Sequence, residues 1–352
     1  MKHDTRVYSS VGIDLGDEYS YHVCLGADGE VAARGQVRMT RAAMQKQWGR
    51  MRPTRIAIEA GAQSRWVSEE VEALGHEVIV ANPRQLKLIS ASVSKSDPAD
   101  AHLLARLARA DVGLLAPVRH RGTKQQLTLV LIRARALLVE QRVALMHSVR
   151  GMAKSFGVRV PRIGSERAVE RAAEALPGEL RMALAGVLGM IVALSEQIEA
   201  YDERIEQEAR AHYPETARLA EVPGIGVLTA LSFVVTLGEA GRFGKSRDVG
   251  GYLGLRPRQR QSGASNPQLS ITKTGDRYLR KLLVQSAHCV LRRYAPDTAL
   301  RQWGLRLCER GGKNAKKRAI VAVARKLAVL LHKLWVSGAH YRAFPAATAV
   351  AA

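Results

Sequence analysis

The periodicity of apolar residues changes near residue 120, and this change is what most constrains the fold. Before it, short apolar runs alternate with turns, whereas from about residue 123 to residue 152 leucine or methionine recurs every seventh position. A repeat of that kind predicts one long helix with an apolar stripe. The repeat consists of Leu131, Leu138, Leu145 and Met152, beside Val130, Leu137 and Ala144. An α/β region followed by a helical region is therefore expected.

A second helical segment follows a connection that is rich in glycine and proline. Its periodic positions are Leu188, Ile191, Ser195, Ile198 and Ile205. Two such helices predict an antiparallel coiled-coil arm, and the alternative is a pair of amphipathic helices packed in an ordinary bundle. Arg133, Arg142 and Arg150 make the arm basic, which fits either a solvated face or a phosphate-binding one.

The region before residue 118 has the pattern of a mixed sheet covered by helices. Residues 11–15, 19–25 and 31–37 predict three antiparallel strands, and residues 55–59 and 77–80 predict two more. Helices are predicted between these strands, over residues 41–50 and 64–74. This order of elements places strand one beside strand four.

Four acidic residues occupy informative positions in this pattern. Asp14 lies inside the first apolar strand, Glu59 ends the fourth strand, and Asp97 and Asp100 begin a later helix. A carboxylate in an apolar strand is costly unless it is paired or bound to a metal ion. Adjacent strands one and four would gather all four carboxylates around two Mg²⁺ ions about 3.5 to 4 Å apart, as two-metal phosphodiester cleavage requires.

Structural interpretations of these acids stay open at this point. Asp97 before Pro98 suits a helix N-cap with proline at N1, and Asp100 could complete a capping box. Glu59 could be an exposed strand end, and Asp14 could pair with a lysine. Each acid alone is a weak signal, whereas their order along the chain is more specific.

The region after residue 213 is rich in glycine and arginine. Gly224 and Gly226 predict a tight turn before an apolar helix, which suits a DNA phosphate or a purely structural role. Ser262 lies in a basic loop where arginines could hold a scissile phosphate while its hydroxyl attacks, although most loop serines have no such role. The candidate nucleic-acid contacts are Gly224, Gly226, Arg256, Arg258, Arg260, Lys273, Arg277 and Arg280.

The charge balance indicates a polyanionic partner. The 54 Lys and Arg residues against 32 Asp and Glu residues give a formal charge of +22, which favours DNA through counterion release. No apolar run of about 18 residues and no N-terminal signal is evident, so a cytoplasmic protein without a membrane partner is expected. Cys24, Cys289 and Cys308 are too few and too far apart for a disulfide framework or a paired zinc site.

The motifs together resemble one family. Gly-Ile-Asp at Asp14, Ile-Glu-Ala at Glu59 and Asp-Pro-Ala-Asp from Asp97 resemble the DEDD signature of the IS-one-ten type insertion-sequence transposases, whose members include site-specific DNA invertases. The later Pro-Gly-Ile-Gly, Gly-Leu-x-Pro, Ser-Gly and Lys-x-Gly-x-x-x-Leu-Arg elements resemble the C-terminal domain of the same family. Pro98, where a basic residue is more usual, and Gly61-Ala62-Gln63, in place of Thr-Gly, depart from the pattern without removing a ligand.

The resemblance implies a domain plan and a chemistry. It implies a RuvC-like, RNase H-type domain over residues 1–118 with Asp14, Glu59, Asp97 and Asp100 as Mg²⁺ ligands. A helical arm over residues 119–212, a transposase domain over 213–343 and a flexible tail over 344–352 would follow. It further implies that Ser262 forms a covalent phosphoserine link to DNA, that a structured bridge RNA pairs with donor and target DNA, and that the two sites combine across subunits of a dimer or tetramer.

Three functions fit the residues to different degrees. A recombinase requires both the carboxylates and Ser262. A RuvC-like nuclease that resolves branched DNA by water attack requires the carboxylates but not the serine. A non-catalytic nucleic-acid-binding protein requires only the positive charge.

Overall fold

The computed structural model describes residues 7–83, 96–160, 166–263, 265, 267 and 269–344. The chain divides into two compact units, residues 1–120 and residues 121–352. The first unit contains a five-stranded sheet flanked by helices, and the described part of the second is mainly helical, so the predicted mixed α/β class is confirmed. Of the tail predicted to be flexible over residues 344–352, all but Phe344 lies outside the described residues.

The first unit is built on a mixed sheet. Its strands are β1 (Ser10–Asp14), β2 (Tyr19–Leu25), β3 (Val31–Arg38), β4 (Arg55–Glu59) and β5 (Glu77–Ala81). Their order is β3-β2-β1-β4-β5, with antiparallel pairing from β1 to β3 and parallel pairing of β1 with β4 and of β4 with β5. The predicted adjacency of strand one and strand four is therefore confirmed.

Helices cover both faces of this sheet. They are α1 (Arg41–Trp48), α2 (Ser64–Ala73) and α3 (Asp97–Ala110). Trp48 of α1 and Val67 of α2 pack with Val11, Ile13 and Ile56 on one face. On the other face α3 packs against β1, β2 and β4, so its first turn is held close to the sheet.

The second unit is a helical assembly around a buried helix. Its helices are α4 (Thr123–Ser155), α5 (Glu166–Glu174), α6 (Gly178–His212), α7 (Glu215–Leu219), α8 (Val227–Leu237), α9 (Asp248–Tyr252), α10 (Arg277–Val290), α11 (Ala299–Glu309) and α12 (Ala315–Ser337). The apolar helix α8 contacts α4, α6, α7 and α10, and α12 contacts α10 and α11. The core of this unit therefore forms between α8 and the C-terminal helices.

Helices α4 and α6 pack against each other in antiparallel directions. Polar contacts join Thr128 to Glu208, the Arg135 guanidinium to the Asp202 carboxylate and Arg142 to Ser195, so the contact positions on α4 are seven residues apart. The five periodic positions predicted on α6 are all buried. The prediction for that helix is thus confirmed.

The apolar residues predicted to form a stripe on α4 are not buried along its whole length. Val130 and Leu137 are 54% and 55% exposed, and Leu131, Leu138 and Leu145 are half-buried. Thr128, Arg135 and Arg142 make the polar contacts with α6, and Leu145 packs against the apolar cluster that contains Leu188 and Ile191 of α6. Arginine can lie in such a helix contact because its aliphatic stem packs while its guanidinium pairs with a carboxylate. The coiled-coil arm stays a prediction.

Within the described ranges, α6 is the one helix whose length and composition would allow it to cross a membrane. Leu184, Leu188 and Ile191 of α6 pack with Val149 of α4 and Val169 of α5. Part of the apolar surface of α6 is therefore used in packing against its neighbours.

Candidate active site

Two strands bring the first two carboxylates to one edge of the sheet. In the parallel pair, Ile13 of β1 lies opposite Ile58 of β4, and the next residues along the strands are Asp14 and Glu59. Both strands end at these acids, and both acids are half-buried. The carboxyl ends of parallel neighbours are a common place for ligand-binding residues.

Helix α3 brings the other two carboxylates to the same edge. Ser96 is its N-cap residue, and Asp97 and Asp100 lie in its first turn. The capping interpretation of Asp97 is therefore wrong, because the helix has already begun at that residue. The Ser96 side chain makes no capping hydrogen bond at this helix start.

A contact between small residues fixes the position of α3. A Cβ atom added to Gly12 of β1 would lie 2.0 Å from the Ala101 carbonyl oxygen and 2.5 Å from the Ala105 backbone nitrogen. The Ser10 hydroxyl donates a hydrogen bond of 2.8 Å to the Ala105 carbonyl oxygen. Because Gly12 has no side chain, α3 can lie directly on β1 and carry Asp100 to the edge where Asp14 lies.

The four predicted acids line one cavity of about 410 Å³. A fifth acid, Asp17, lines it as well, and its described lining contains no Lys, Arg or His residue. We name it the acidic cavity. Asp100 is only 7% exposed, and no described side chain donates a hydrogen bond to its carboxylate. Five carboxylates around one cavity repel one another and attract cations.

The donor set of the acidic cavity fits a hard divalent cation. Carboxylate oxygens are the ligands that such ions prefer, and no histidine or thiol is present in the described lining. In the described part of the chain, no three Asp, Glu, His or Cys side chains lie close enough together to coordinate one metal ion in this conformation. Carboxylates that share a cavity repel one another, and a bound cation would offset that repulsion.

Sequence reasoning missed two residues of the acidic cavity, Asp17 and Gln63. The Gln63 side-chain amide donates to the Gly16 and Asp17 carbonyl oxygens, at 3.0 and 3.1 Å. The Trp66 indole N–H donates in turn to the Gln63 side-chain oxygen at 3.2 Å. These bonds hold the loop after β1 against the start of α2, and the signal available in the sequence was an acid three residues after Asp14.

Ser262 lies in the second unit, at the tip of a hairpin formed by the described residues within 254–263 and 269–273. Pro257 and Ile271 form an antiparallel bridge, and the Arg258 N–H donates to the Ser270 carbonyl oxygen at 2.9 Å. At the tip, the backbone groups of Ser262 and Ser265 bond to each other. The residue is exposed, so its hydroxyl faces solvent on a folded support.

The base of this hairpin is tightly closed. Gly254 and Gly275 have φ angles of 69° and 74°, and an added Cβ would lie 2.3 Å from the Thr274 oxygen or 2.0 Å from the Tyr252 oxygen. The Arg280 guanidinium donates to the Leu253 and Thr274 carbonyl oxygens. Arg280, a predicted nucleic-acid contact, is thus engaged within the protein.

The other predicted nucleic-acid contacts divide between two places. Arg256, Arg258, Arg260 and Lys273 are exposed on the hairpin, and the exposed Arg277 begins α10. Gly226 is the N-cap residue of α8, so no side chain caps this helix start. Gly224 precedes it in the turn. The hairpin therefore presents Ser262 among cations.

Comparison with known proteins decides the family. Residues 216–302 match the profile described as "Transposase IS116/IS110/IS902 family", and residues 11–157 match a DEDD transposase profile of the IS110 type. The chain is 31% identical over 297 residues to the transposase for insertion sequence element IS1111A of Coxiella burnetii, covering 82% of this chain and 79% of that relative. The chain belongs to the IS116/IS110/IS902 family of transposases.

Other relatives extend this result, and the family resemblance predicted from the motifs is confirmed. A probable family 20 transposase of Pseudomonas aeruginosa is 29% identical over 341 residues, covering 95% of this chain and 98% of the relative. The pilin gene-inverting protein of Moraxella lacunata is 34% identical over 110 residues, covering 31% and 33% of the two chains.

The two matched regions of the transposase separate its two candidate sites. The DEDD match spans the four predicted carboxylates, and the second match spans Ser262. A transposase binds, cuts and rejoins DNA, and its DEDD-type domain depends on a divalent metal ion.

Proposed function

We propose that the transposase uses Asp14, Glu59, Asp97 and Asp100 as Mg²⁺ ligands and Ser262 as the nucleophile of DNA cleavage. The observation that carries this proposal is the acidic cavity, in which all four acids meet without a basic residue in the described lining. Mg²⁺ prefers such oxygen ligands, and when bound it supplies Lewis-acid stabilisation of the phosphate oxygens. The alternative role as helix N-cap is not supported for Asp97 or Asp100, because Ser96 is the N-cap residue of α3.

The proposed role of Ser262 is transesterification. Its Oγ attacks the phosphorus of the scissile phosphodiester, an Oγ–P bond forms, and the bond from phosphorus to one deoxyribose oxygen breaks. The proton that the serine loses is balanced by the one that the leaving strand's hydroxyl gains. Because one phosphate ester replaces another, a strand hydroxyl can later reverse the step without ATP. Arg258 and Arg260, exposed on the same hairpin, support charge stabilisation at the phosphate.

A structured guide RNA is the proposed second nucleic acid. The formal charge of +22 exceeds what one short DNA contact needs, and Arg150 and Lys154 on α4 extend the basic surface. Sequence choice would then come from base pairing, while the protein holds backbone and shape.

A dimer or tetramer is the proposed assembly. Leu127, Val130 and Leu137 of α4 are between 54% and 64% exposed. They recur at spacings of three and seven residues along one helix face, and Thr128, Arg135 and Arg142 face α6 from another. An exposed apolar row of this spacing suits packing against a helix of a second copy.

A denaturing gel tests the proposal directly. Purified transposase, with its co-purified RNA retained, is incubated with Mg²⁺ and element-junction DNA, and a covalent protein–DNA adduct is measured. We expect an adduct that is lost in Ser262→Ala and in Asp100→Asn. Cleavage that survives Ser262→Ala without any adduct would overturn the serine role and leave a metal-dependent nuclease.

A further inference from the structure

A second cavity lies over the edge strand of the sheet, away from the acidic cavity. Its volume is about 730 Å³, within the ~300–1,000 Å³ range of small-ligand sites. It is lined by residues of β2, β3 and α1, by Tyr8, and by Arg50 and Met51 after α1. We name it the basic cavity. It shares no lining residue with the acidic cavity.

The rim of the basic cavity is positively charged. Arg34, Arg38, Lys46 and Arg50 line it and are exposed, and its described lining contains no Asp or Glu residue. Within the described chain Arg34, Arg38 and Lys46 form no ion pair. Four cations around one concave site attract an anion, and a phosphate is one that Arg and Lys side chains bind through charge-assisted hydrogen bonds.

The floor of the basic cavity is of a different character. Tyr8, His22 and Cys24 are 7%, 5% and 2% exposed, so these lining residues form its buried part. Gly35 of the edge strand β3 lies against the His22 ring, because a Cβ on Gly35 would lie 3.1 Å from that ring. The basic cavity therefore combines a charged rim with a floor of aromatic and apolar side chains.

His22 supplies an unsatisfied polar atom in this floor. Its Nδ1 is buried and has no hydrogen-bond partner among the described residues. The ring is held edge-on against Trp48, with ring centres 5.0 Å apart. Burial lowers the pKa of His22, so the ring is neutral near pH 7. A buried, unpaired ring nitrogen is costly unless a ligand bonds to it.

We propose that the basic cavity binds an unpaired nucleotide of a single-stranded nucleic acid, with the phosphate at the Arg34, Lys46 and Arg50 rim and the base toward Tyr8 and His22. A free phosphate would leave the buried floor unused. A paired duplex fits less well, because its bases are stacked and paired and extruding one into a cavity costs a few kcal/mol. Single-stranded sites elsewhere combine cations for the backbone with aromatic surfaces for the base in this way.

This inference rests on the proposed function only in taking nucleic acid as the ligand. It assigns no part of the cutting reaction to the basic cavity. The chemistry of the site does not separate RNA from DNA, and the two are therefore arms of the test.

Site-specific crosslinking tests the proposal. The probes are single-stranded RNA and DNA of about 12 nucleotides, each with one 5-iodouracil, and the DNA duplex of the same sequence. After irradiation, mass spectrometry locates the adduct on the full-length transposase. We expect adducts on Tyr8 or His22 with a single strand and none there with the duplex.

Charge variants give the matched comparison. Lys46→Glu with Arg50→Glu should reduce the adduct by about tenfold at 0.15 M salt, since two phosphate contacts are removed. Arg106→Glu with Arg119→Glu makes the same charge change at exposed positions that do not line the cavity, and should leave the adduct unchanged. Ala33→Leu should also reduce it by filling space without changing charge. Thermal melting checks that each variant is folded.

The outcomes separate this inference from the proposed function. An adduct at Tyr8 or His22 that persists in Asp100→Asn, while DNA cutting stops, supports both. The same adduct without any DNA cutting by the wild type supports the basic cavity alone. Adducts located only elsewhere, or equal yields from the two charge pairs, would overturn the inference whatever the cutting assay shows.

Discussion

Asp100 is the residue where burial and charge conflict most in the acidic cavity. It is 7% exposed and shares the cavity with four other acids. Without a metal ion, Asp100→Asn removes one repulsive charge, so we expect the thermal midpoint in EDTA to rise by ~2–4 °C, about 1 kcal/mol. DNA cutting should fall by about 100-fold or more, because a ligand is lost. Calorimetry and the adduct gel measure the two effects.

The metal response of the same variant gives a second readout. Adding Mg²⁺ should raise the midpoint of the wild type by mass action and raise that of Asp100→Asn much less. Asp28→Asn is the matched control, since Asp28 lies in the turn between β2 and β3 and its Oδ1 accepts from the Glu30 N–H. If Asp100→Asn cut DNA as fast as Asp28→Asn, Asp100 would not be a ligand.

Residues of the acidic cavity could be predicted from the sequence where an acid occupies an unusual position in the apolar pattern. Asp14 stood out because it lies inside a predicted apolar strand, and Glu59 because it ends one. Asp17 and Gln63 did not, because a loop acid and a glutamine before a helix are common, and only the folded loop brings the Gln63 amide to the Gly16 oxygen. Residues that act through tertiary hydrogen bonds leave little pattern in the sequence.

Between elements, the contact of α3 with β1 positions half of the carboxylates. Gly12→Ala would place a methyl group 2.0 Å from the Ala101 oxygen, so α3 must shift. We expect unfolding free energy to fall by about 3 kcal/mol, the upper range for overpacked cores, and metal-induced stabilisation to be lost with it. Urea denaturation with and without Mg²⁺ measures both.

Gly61→Ala is the control for stability in this comparison. A Cβ added there meets nothing within 4 Å, and Gly61 has no positive φ angle. Its unfolding free energy should stay within about 0.5 kcal/mol of the wild type. Equal stability of the two alanine variants would contradict the close contact of α3 with β1.

The second prediction about an element concerns the exposed row on α4. Leu137→Glu adds a charge at a 55% exposed position, so the fold should persist while association through this row weakens. Light scattering should show a smaller mass for this variant at equal concentration. Met182→Glu, on the 73% exposed Met182 of α6, adds the same charge to the other helix and should keep the wild-type mass. Equal masses would exclude α4 as the interface.

Elements were predicted well where one periodicity dominates and missed where tertiary packing overrides propensity. The strands and α1 to α2 lie within about two residues of their predicted bounds, the usual uncertainty of helix and strand ends. Helix α11 was missed, since Gly304 interrupts its pattern. The structure needs glycine there, because a Cβ would lie 2.7 Å from both Leu291 and Val323 side-chain atoms.

For the whole molecule, the proposed function requires the acidic cavity and Ser262 to act on the same DNA. They lie in separate compact units. A polypeptide can complete such a site within one chain or by pairing one subunit's cavity with another's serine. The symmetry of a dimer makes these alternatives measurable, because the second arrangement gives two equivalent composite sites.

Complementation between two inactive variants distinguishes these arrangements. Asp100→Asn and Ser262→Ala, carrying different affinity tags, are co-expressed and purified through both tags, so that every dimer is mixed. If sites combine across subunits, one of the two sites in each mixed dimer has an intact cavity and an intact serine, and adduct formation should return to about half of the wild-type level. If each site is built within one chain, both sites lack one component and no adduct forms. Doubly tagged Ser262→Ala alone is the negative control, because it has no nucleophile in either arrangement.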